Sequence, residues 1–351
     1  MRARPHSRHV AVWLVTLYVG VLAMIAVGGI TRLTESGLSI VEWRPVTGAV
    51  PPITDAAWEQ EFARYRGSPQ FAQVNAWMAL DDFKRIYFWE FVHRLLGRAI
   101  GMLALLPWLA FVWVRSLEKR WVVRTGAIGA LVALQGVLGW LMVKSGLLDA
   151  PRVSHFRLAA HLVLAFGIGQ WVLWCWLHWQ VAAGTVRHKG TGPGRSWSAV
   201  VVVTAAWLVV QVAFGAFVAG TRGGALFATF PHMNGLWTPG PFFERVSDAW
   251  TEPVAIHYTH RALGFGLALP LLVLHAVSRS RGLSVRRATA VCLALYAGQV
   301  ALGAVTVLLR VPVGVAIAHQ VLAYFLVSAV TVVAFLGSSG RRVSKLAVTR
   351  A

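Results

Sequence analysis

The sequence predicts an all-α integral membrane protein. Its eight transmembrane helices form two parallel four-helix repeats, related by a pseudo-twofold axis along the membrane normal. Three observations predict this. The 351 residues are 57% hydrophobic and only 13% charged, too few charges to cover a soluble surface of that size. Apolar runs of about 20 residues, enough to cross about 30 Å of hydrocarbon, recur along the chain. A pattern of histidine, arginine, glutamine and glycine occurs twice, in the same order.

The runs fall at roughly 10–30, 88–114, 122–144, 156–178, 197–219, 254–277, 287–309 and 312–336. The first follows a basic start and flows into Gly28-Gly29-Ile30-Thr31-Arg32, so it reads as a retained helix rather than a cleaved signal peptide. Residues 31–87 then form a long outer segment. In it Trp58, Phe62 and Tyr65 recur at helical spacing after a Thr54 cap, and Phe71, Val74, Trp77 and Met78 do so again. Both stretches read as amphipathic helices at the membrane interface, either packed on the bundle's outer face or acting as a lid that shields a cofactor from water. The shorter outer segment 220–253, rich in glycine, proline and aromatics, suits the same use. Val27-Gly28-Gly29-Ile30-Thr31-Arg32 resembles Val218-Ala219-Gly220-Thr221-Arg222, so helices one to four match helices five to eight. Four is even, so both halves enter the membrane from one side, which makes the repeats parallel. The predicted units are 1–180 with the outer segment 31–87, then 181–340, then a basic cytoplasmic tail at 341–351.

The formal net charge is +20, but its distribution argues against nucleic acid. The N-terminus, the loops after helices two, four and six, and the C-terminal tail hold 18 of the 33 Lys and Arg and a single acid, Glu118. The other side holds the remaining 15 bases and 12 of the 13 acids. This asymmetry is the positive-inside pattern of a multi-pass protein in the bacterial inner membrane, with both termini cytoplasmic. Cys175 and Cys292 fall near the cytoplasmic ends of their helices, on a reducing side, which points to neither a disulfide nor a thiolate metal site.

The repeated motif carries the chemistry. The first half has His93-Arg94-Leu95-Leu96-Gly97, then Gln135 and Gly139 four apart, then His161. The second has His260-Arg261-Ala262-Leu263-Gly264, then Gln299 and Gly303, then His319. Each histidine lies a few residues into a helix entered from the outer side, about 7–12 Å deep at 1.5 Å per residue. A polar imidazole in lipid is costly and usually functional. Four at one depth, with His93 facing His161 and His260 facing His319, offer axial ligands to two haem irons towards the outer side. Zinc fits less well, because two distant pairs give no tetrahedral closure. Glu90 lies three residues before His93 and reads either as an acid or base at the haem edge or as an interfacial carboxylate paired with Arg94. The corresponding residue in the second half is His257, as expected if one half does chemistry and the other holds a fixed cofactor. Arg94 and Arg261, and less surely Arg98, could pair with haem propionates. Gln135 and Gln299 should bond across helices, beside glycines that let helices approach. His155 and His232 fall in outer segments and read as solvent-exposed.

At these residues the chain resembles haem A synthase. The resemblance runs through Gly28-Gly29, Thr31 to Ile40, Glu42-Trp43, Pro45-Val46, Gly48, Pro51-Pro52, Phe83-Lys84, Ile86-Tyr87, Glu90, His93-Arg94 and the stretch from Gln135 to Leu147. It is similar to the proteobacterial and mitochondrial branch, which lacks a cysteine pair in the first outer loop. The resemblance implies oxidation of a methyl group of haem O to a formyl group, giving haem A for cytochrome oxidase assembly. It implies that His93 and His161 hold the substrate haem, that His260 and His319 ligate a haem b, and that Glu90 assists at the substrate. The implied partners are the lipid-tailed haem O, membrane lipid, a haem O synthase, oxidase assembly factors and an electron donor. Two rivals share parts of the pattern. A di-haem b-type membrane electron-transfer protein would need the histidines but not Glu90 or a lid. A transporter would carry charge near the midplane, whereas here it gathers near the outer surface.

Overall fold

The computed structural model describes residues 8–44, 47–148, 153–185, 194–238 and 246–338. The basic tail 341–351, and parts of the segments joining the halves and following 238, lie outside the described residues. Among the described residues there is no strand beyond an isolated bridge between Met233 and Leu236, and eight spans are long and apolar enough to cross a membrane. The chain is therefore an all-α, multi-pass membrane protein.

The helices, in chain order, are α1 (Arg8–Leu33), α2 (Asp55–Arg66), α3 (Leu80–Trp113), α4 (Lys119–Leu148), α5 (His155–Ala182), α6 (Arg195–Thr221), α7 (Asp248–Thr251), α8 (Pro253–Gly266), α9 (Ala268–Ser278), α10 (Leu283–Leu308) and α11 (Val313–Ser338). All but α2 and α7 belong to spans. Helix α3 starts eight residues earlier than its apolar run, at Leu80, so His93 lies thirteen residues into it. The extra turns pack against α2. They carry Phe83, Ile86 and Tyr87, which pack with Phe62 and Tyr65 of α2 in a buried outer cluster.

Two prolines show how a membrane helix repairs its backbone. Pro107 in α3 has no N–H for the Leu103 carbonyl, and that carbonyl accepts from Trp13 Nε1 of α1 at 2.7 Å. Pro270 cannot serve the carbonyl of Gly266, and there the sixth span, expected to be one helix, is broken into α8 and α9. Carbonyls beside the break are taken by neighbours: Trp207 Nε1 donates to Leu263 at 2.9 Å and Tyr296 Oη to Gly264 at 3.0 Å.

Packing forms two closed rings of four. In one, α1, α3, α4 and α5 each touch the next and α5 closes on α1. In the other, α6 packs on α8 and α9, α9 on α10, α10 on α11, and α11 on α6. The rings meet through α1, α5, α6 and α11. Their seam holds a short polar ladder in which Tyr18 Oη lies 2.7 Å from Ser328 Oγ, Gln170 Nε2 donates to Ser328 at 3.2 Å and Thr331 donates to Gln170 at 3.0 Å. At the outer end the matched Thr-Arg pairs clasp one another. Arg32 donates to the carbonyls of Ala219 and Gly220 at the C-terminus of α6, where a cation also suits the helix dipole, while Arg222 ion-pairs with Glu35 beyond α1.

The outer segment departs in part from its expected form. Thr54 does cap α2, accepting from the Ala57 amide at 3.2 Å, and Trp58 packs edge-on against Tyr87 at 5.0 Å. The second amphipathic stretch is no helix of length. It is a single π-type turn, Phe71–Asn75, after which Trp77 is 70% exposed. Buried polar groups help fix it, beside the packing of Phe71 on Phe62 and Tyr65: Asn75 donates to Tyr65 Oη at 2.7 Å, and Gln70 donates to the Glu35 carbonyl.

Candidate functional site

Each of the four repeated histidines lies with its ring against a glycine on the next helix. An added Cβ would meet His93 Cε1 at 3.1 Å from Gly28 and His161 Cε1 at 3.2 Å from Gly139. From Gly215 it would meet His260 Cε1 at 3.2 Å, and from Gly303 it would meet His319 Cε1 at 3.0 Å. The contacts join α1 to α3, α4 to α5, α6 to α8 and α10 to α11. In ring order the two histidines of each half therefore stand on opposite helices. His93 and His161 thus belong to one ring of helices, and His260 and His319 to the other. The two members of each sequence-predicted pair thus share a ring.

Their hydrogen bonding is incomplete. Nδ1 of His93, His161 and His319 is buried with no hydrogen-bond partner. An orphaned buried polar atom costs about 1–3 kcal/mol and calls for an explanation. Glutamines attend three of the four residues. Gln135 Nε2 donates to the His161 carbonyl at 2.9 Å. Gln211 Nε2 donates to the His260 carbonyl at 3.1 Å and lies 3.2 Å from its Nδ1. Gln299 Nε2 lies 3.3 Å from His319 Nε2. In each ring two imidazoles, each seated against a glycine and only partly satisfied, form a donor set that fits ligation of a haem iron.

The outer segment closes over the first ring through one carboxylate. Glu90 is only 2% exposed. Its Oε2 accepts from Ser39 Oγ and the Ile40 amide, both at 2.7 Å, and its Oε1 accepts from Arg94 Nη2 at 2.6 Å and Nε at 3.0 Å. Arg94 goes on to the carbonyls of Ile40 at 2.8 Å and Glu42 at 3.3 Å, and Arg98 donates to Arg44 at 2.7 Å. Leu38 packs where a Cβ on Gly146 would stand, 2.8 Å away, and Trp43 lies 6.1 Å from Trp140. Residues 36–44 thus bridge α3 and α4 above His93. An ion-pair cluster, Glu42 and Glu61 with Arg44 and Arg64, ties this strap to α2.

Comparison with known proteins adds the family. The model of COX15-CtaA, cytochrome oxidase assembly protein, matches residues 11–331. The chain belongs to that family. It is 41% identical over 335 residues to the protein named Heme A synthase of Rhodopseudomonas palustris strain BisA53, covering 92% of this chain and 88% of that one. It is 39% identical over 332 residues to that of Nitrosospira multiformis, 92% of each chain. It is 40% identical over 343 residues to that of Sphingopyxis alaskensis, 96% of this chain and 94% of the relative.

In this member of the family the second ring has its own strap. Arg261 Nη1 donates to the carbonyls of Thr229 at 2.9 Å and His232 at 3.2 Å, and Nη2 to Phe227 at 3.3 Å, while Nε donates to His257 Nε2 at 3.0 Å. Both arginines expected at propionates therefore hold loop carbonyls, and each leans on the residue four before it, Glu90 or His257. A propionate would share these donors with the loops. His155, expected in solvent, is half-buried at the seam, its Cβ 2.5 Å from where a Cβ on Gly220 would lie and its Nε2 2.9 Å from the Trp250 carbonyl. His232 is half-buried too, its ring 4.2 Å from that of Trp237. Sequence reasoning missed Gly28, Gly215 and Gln211 as histidine neighbours. The signal for the last two was present: Gln211 and Gly215 repeat the four-residue Gln-Gly spacing of helices α4 and α10.

Proposed function

We propose that the protein is a haem A synthase, an oxidoreductase that converts a methyl group of haem O to the formyl group of haem A. The observation that carries this is the pairing of four glycine-seated histidines, two in each ring, in a chain about 40% identical over most of its length to proteins of that name. In this reading residues 1–180 form the substrate half and 181–340 the auxiliary half. His93 and His161 hold the iron of haem O, and His260 and His319 hold a resident haem b. The iron supplies the oxidising chemistry. The chain's own residues position and shield. The glycines behind the imidazoles admit the rings at close range, and a larger residue would push them off line.

Glu90 acts at the substrate edge in this proposal. By fixing Ser39, Ile40 and Arg94 at once, it keeps the strap 36–44 shut and water out, which strengthens every polar interaction beneath it. Arg94 and Arg261 place positive charge beside the haem edges while bracing the straps. The asymmetry between Glu90 and His257 supports a chemical role for the first half, where a carboxylate holds the strap through backbone N–H and hydroxyl donors. The charge distribution supports a bacterial inner-membrane location with cytoplasmic termini and the haem sites towards the outer side. Haem O, with its lipid tail, reaches the first ring from the membrane, handed over by the enzyme that makes it, and oxidase assembly factors take the product.

The test is to purify the protein in mild detergent, extract its haem with acid acetone and identify the species by chromatography and mass. Haem B together with haem O or haem A supports the synthase. Two copies of haem B alone would make it a di-haem electron-transfer protein, and a folded chain with no haem would sink the histidine assignment.

A further inference from the structure

The two histidines on α3 and α8 have unequal neighbours. In the second ring Gln211 of α6 lies four residues before Gly215, the glycine behind His260. Its Nε2 reaches within 3.3 Å of a Cβ on Gly264, four residues after that histidine. In the first ring the same place is filled by Met24 of α1, four before Gly28. Its Cε reaches within 3.4 Å of a Cβ on Gly97, four after His93. So the same niche, behind the same histidine, holds an amide in one ring and a thioether in the other. Helix α1 contains neither Gln nor Asn anywhere.

The consequence is visible in the hydrogen bonds. Gln211 Nε2 lies 3.2 Å from His260 Nδ1 and 3.1 Å from its carbonyl. Nδ1 of His93 is buried with no partner. The Gln211 amide has a second, unpartnered atom, Oε1, also buried. Turning the amide over exchanges donor and acceptor at nearly constant shape. Turned over, the amide presents Oε1 to the protonated Nδ1 and gives up its Nε2 bond to the His260 carbonyl. When Nε2 binds iron, Nδ1 carries the proton and needs an acceptor, which fixes the ring and raises its basicity. Methionine offers only a weak sulfur acceptor.

We propose that Gln211 is a positioning residue that makes His260 a permanent axial ligand, and that Met24 leaves His93 the ligand able to let go. This rests on the reading of the four histidines as haem ligands. It gives one ring a fixed cofactor and the other a substrate iron that can open a coordination position and release its haem after reaction. Gln135 reaches the His161 carbonyl and Gln299 the His319 ring at Nε2, but Nδ1 of both histidines lacks a partner, so at Nδ1 the rings differ only between His93 and His260.

The test exchanges the two residues in the full-length, haem-loaded protein: Gln211→Met, Met24→Gln and Gln211→Glu. Methionine and glutamine are close in volume, so a packing role is indifferent to the exchange. The readouts are the rate at which each haem is lost to apomyoglobin, the low-spin signal, and cyanide binding to the ferric protein. Gln211→Met should speed loss of the resident haem by about 10–100-fold, the usual weight of an outer partner of a metal-bound histidine. Gln211→Glu, which keeps an acceptor, should retain it. Met24→Gln should slow cyanide binding at the first site by about 10-fold or more, within that same range. Unchanged rates and spectra in both Gln211→Met and Met24→Gln overturn the proposal. His260→Ala separates the two failures: a second haem still fully low-spin in that variant would refute the histidine reading itself.

Discussion

Replacing Gly139 by alanine tests whether the glycine-seated imidazole matters. The new Cβ would lie 3.2 Å from His161 Cε1 and 4.0 Å from its Nδ1. Non-bonded carbons settle at about 3.5–4.0 Å, so the ring must retreat by about 0.3–0.8 Å. Metal–ligand distances hold to about 0.2 Å, so that retreat loosens the bond the ring would make. The helix does not suffer, because alanine is favoured over glycine by about 0.8–1.0 kcal/mol in a helix interior. Gly136→Ala, three residues earlier on the same helix with nothing within 4 Å of its Cβ, is the matched control. The assay is haem per protein after purification, the low-spin spectrum, and the thermal midpoint in detergent. We expect Gly139→Ala to lose haem from the first site about 10-fold faster, the lower end for a disturbed ligand shell, with no loss of thermal stability. Wild-type haem content and spectra in Gly139→Ala would refute the reasoning.

Other outcomes follow from the same contacts. Glu90→Ala leaves the guanidinium of Arg94 without its carboxylate and removes the anchor of Ser39 and Ile40. It should cost about 3–5 kcal/mol locally, the range for breaking a buried ion pair, and open residues 36–44 to protease, with Glu90→Gln intermediate. A Cβ on Gly169 would lie 2.0 Å from Tyr324 Oη across the seam, so Gly169→Ala should lower the thermal midpoint, and Tyr324→Phe should restore part of it. Arg32→Ala removes two hydrogen bonds to the end of α6 and should weaken the outer clasp by about 1–3 kcal/mol, read as faster hydrogen exchange at Ala219 and Gly220.

What the sequence determined by itself is what depends on neighbours along the chain. Hydropathy summed over a turn or two is a local property, and it located all eight spans to within a few residues, apart from the outer extension of α3 and the break before Pro270. The histidines were legible because duplication repeats them at fixed spacing, and Glu90 stood out because the repeat breaks there, with His257 in its place. The Thr54 cap was legible because it acts over three residues. Tertiary structure decided the rest. Which glycine backs which histidine depends on helix rotation and on ring order, neither of which spacing within one helix encodes, and so Gly28 went unseen, while Gly215 was marked only by the repeated Gln-Gly spacing. The strap fixed by Glu90 joins residues about fifty positions apart through a main-chain amide and a hydroxyl, groups with no pattern in sequence. The arginines show the same limit. Their charge and depth suggested a ligand, but only the folded loops revealed the carbonyls within reach, because a buried guanidinium bonds whatever acceptors the fold brings to it.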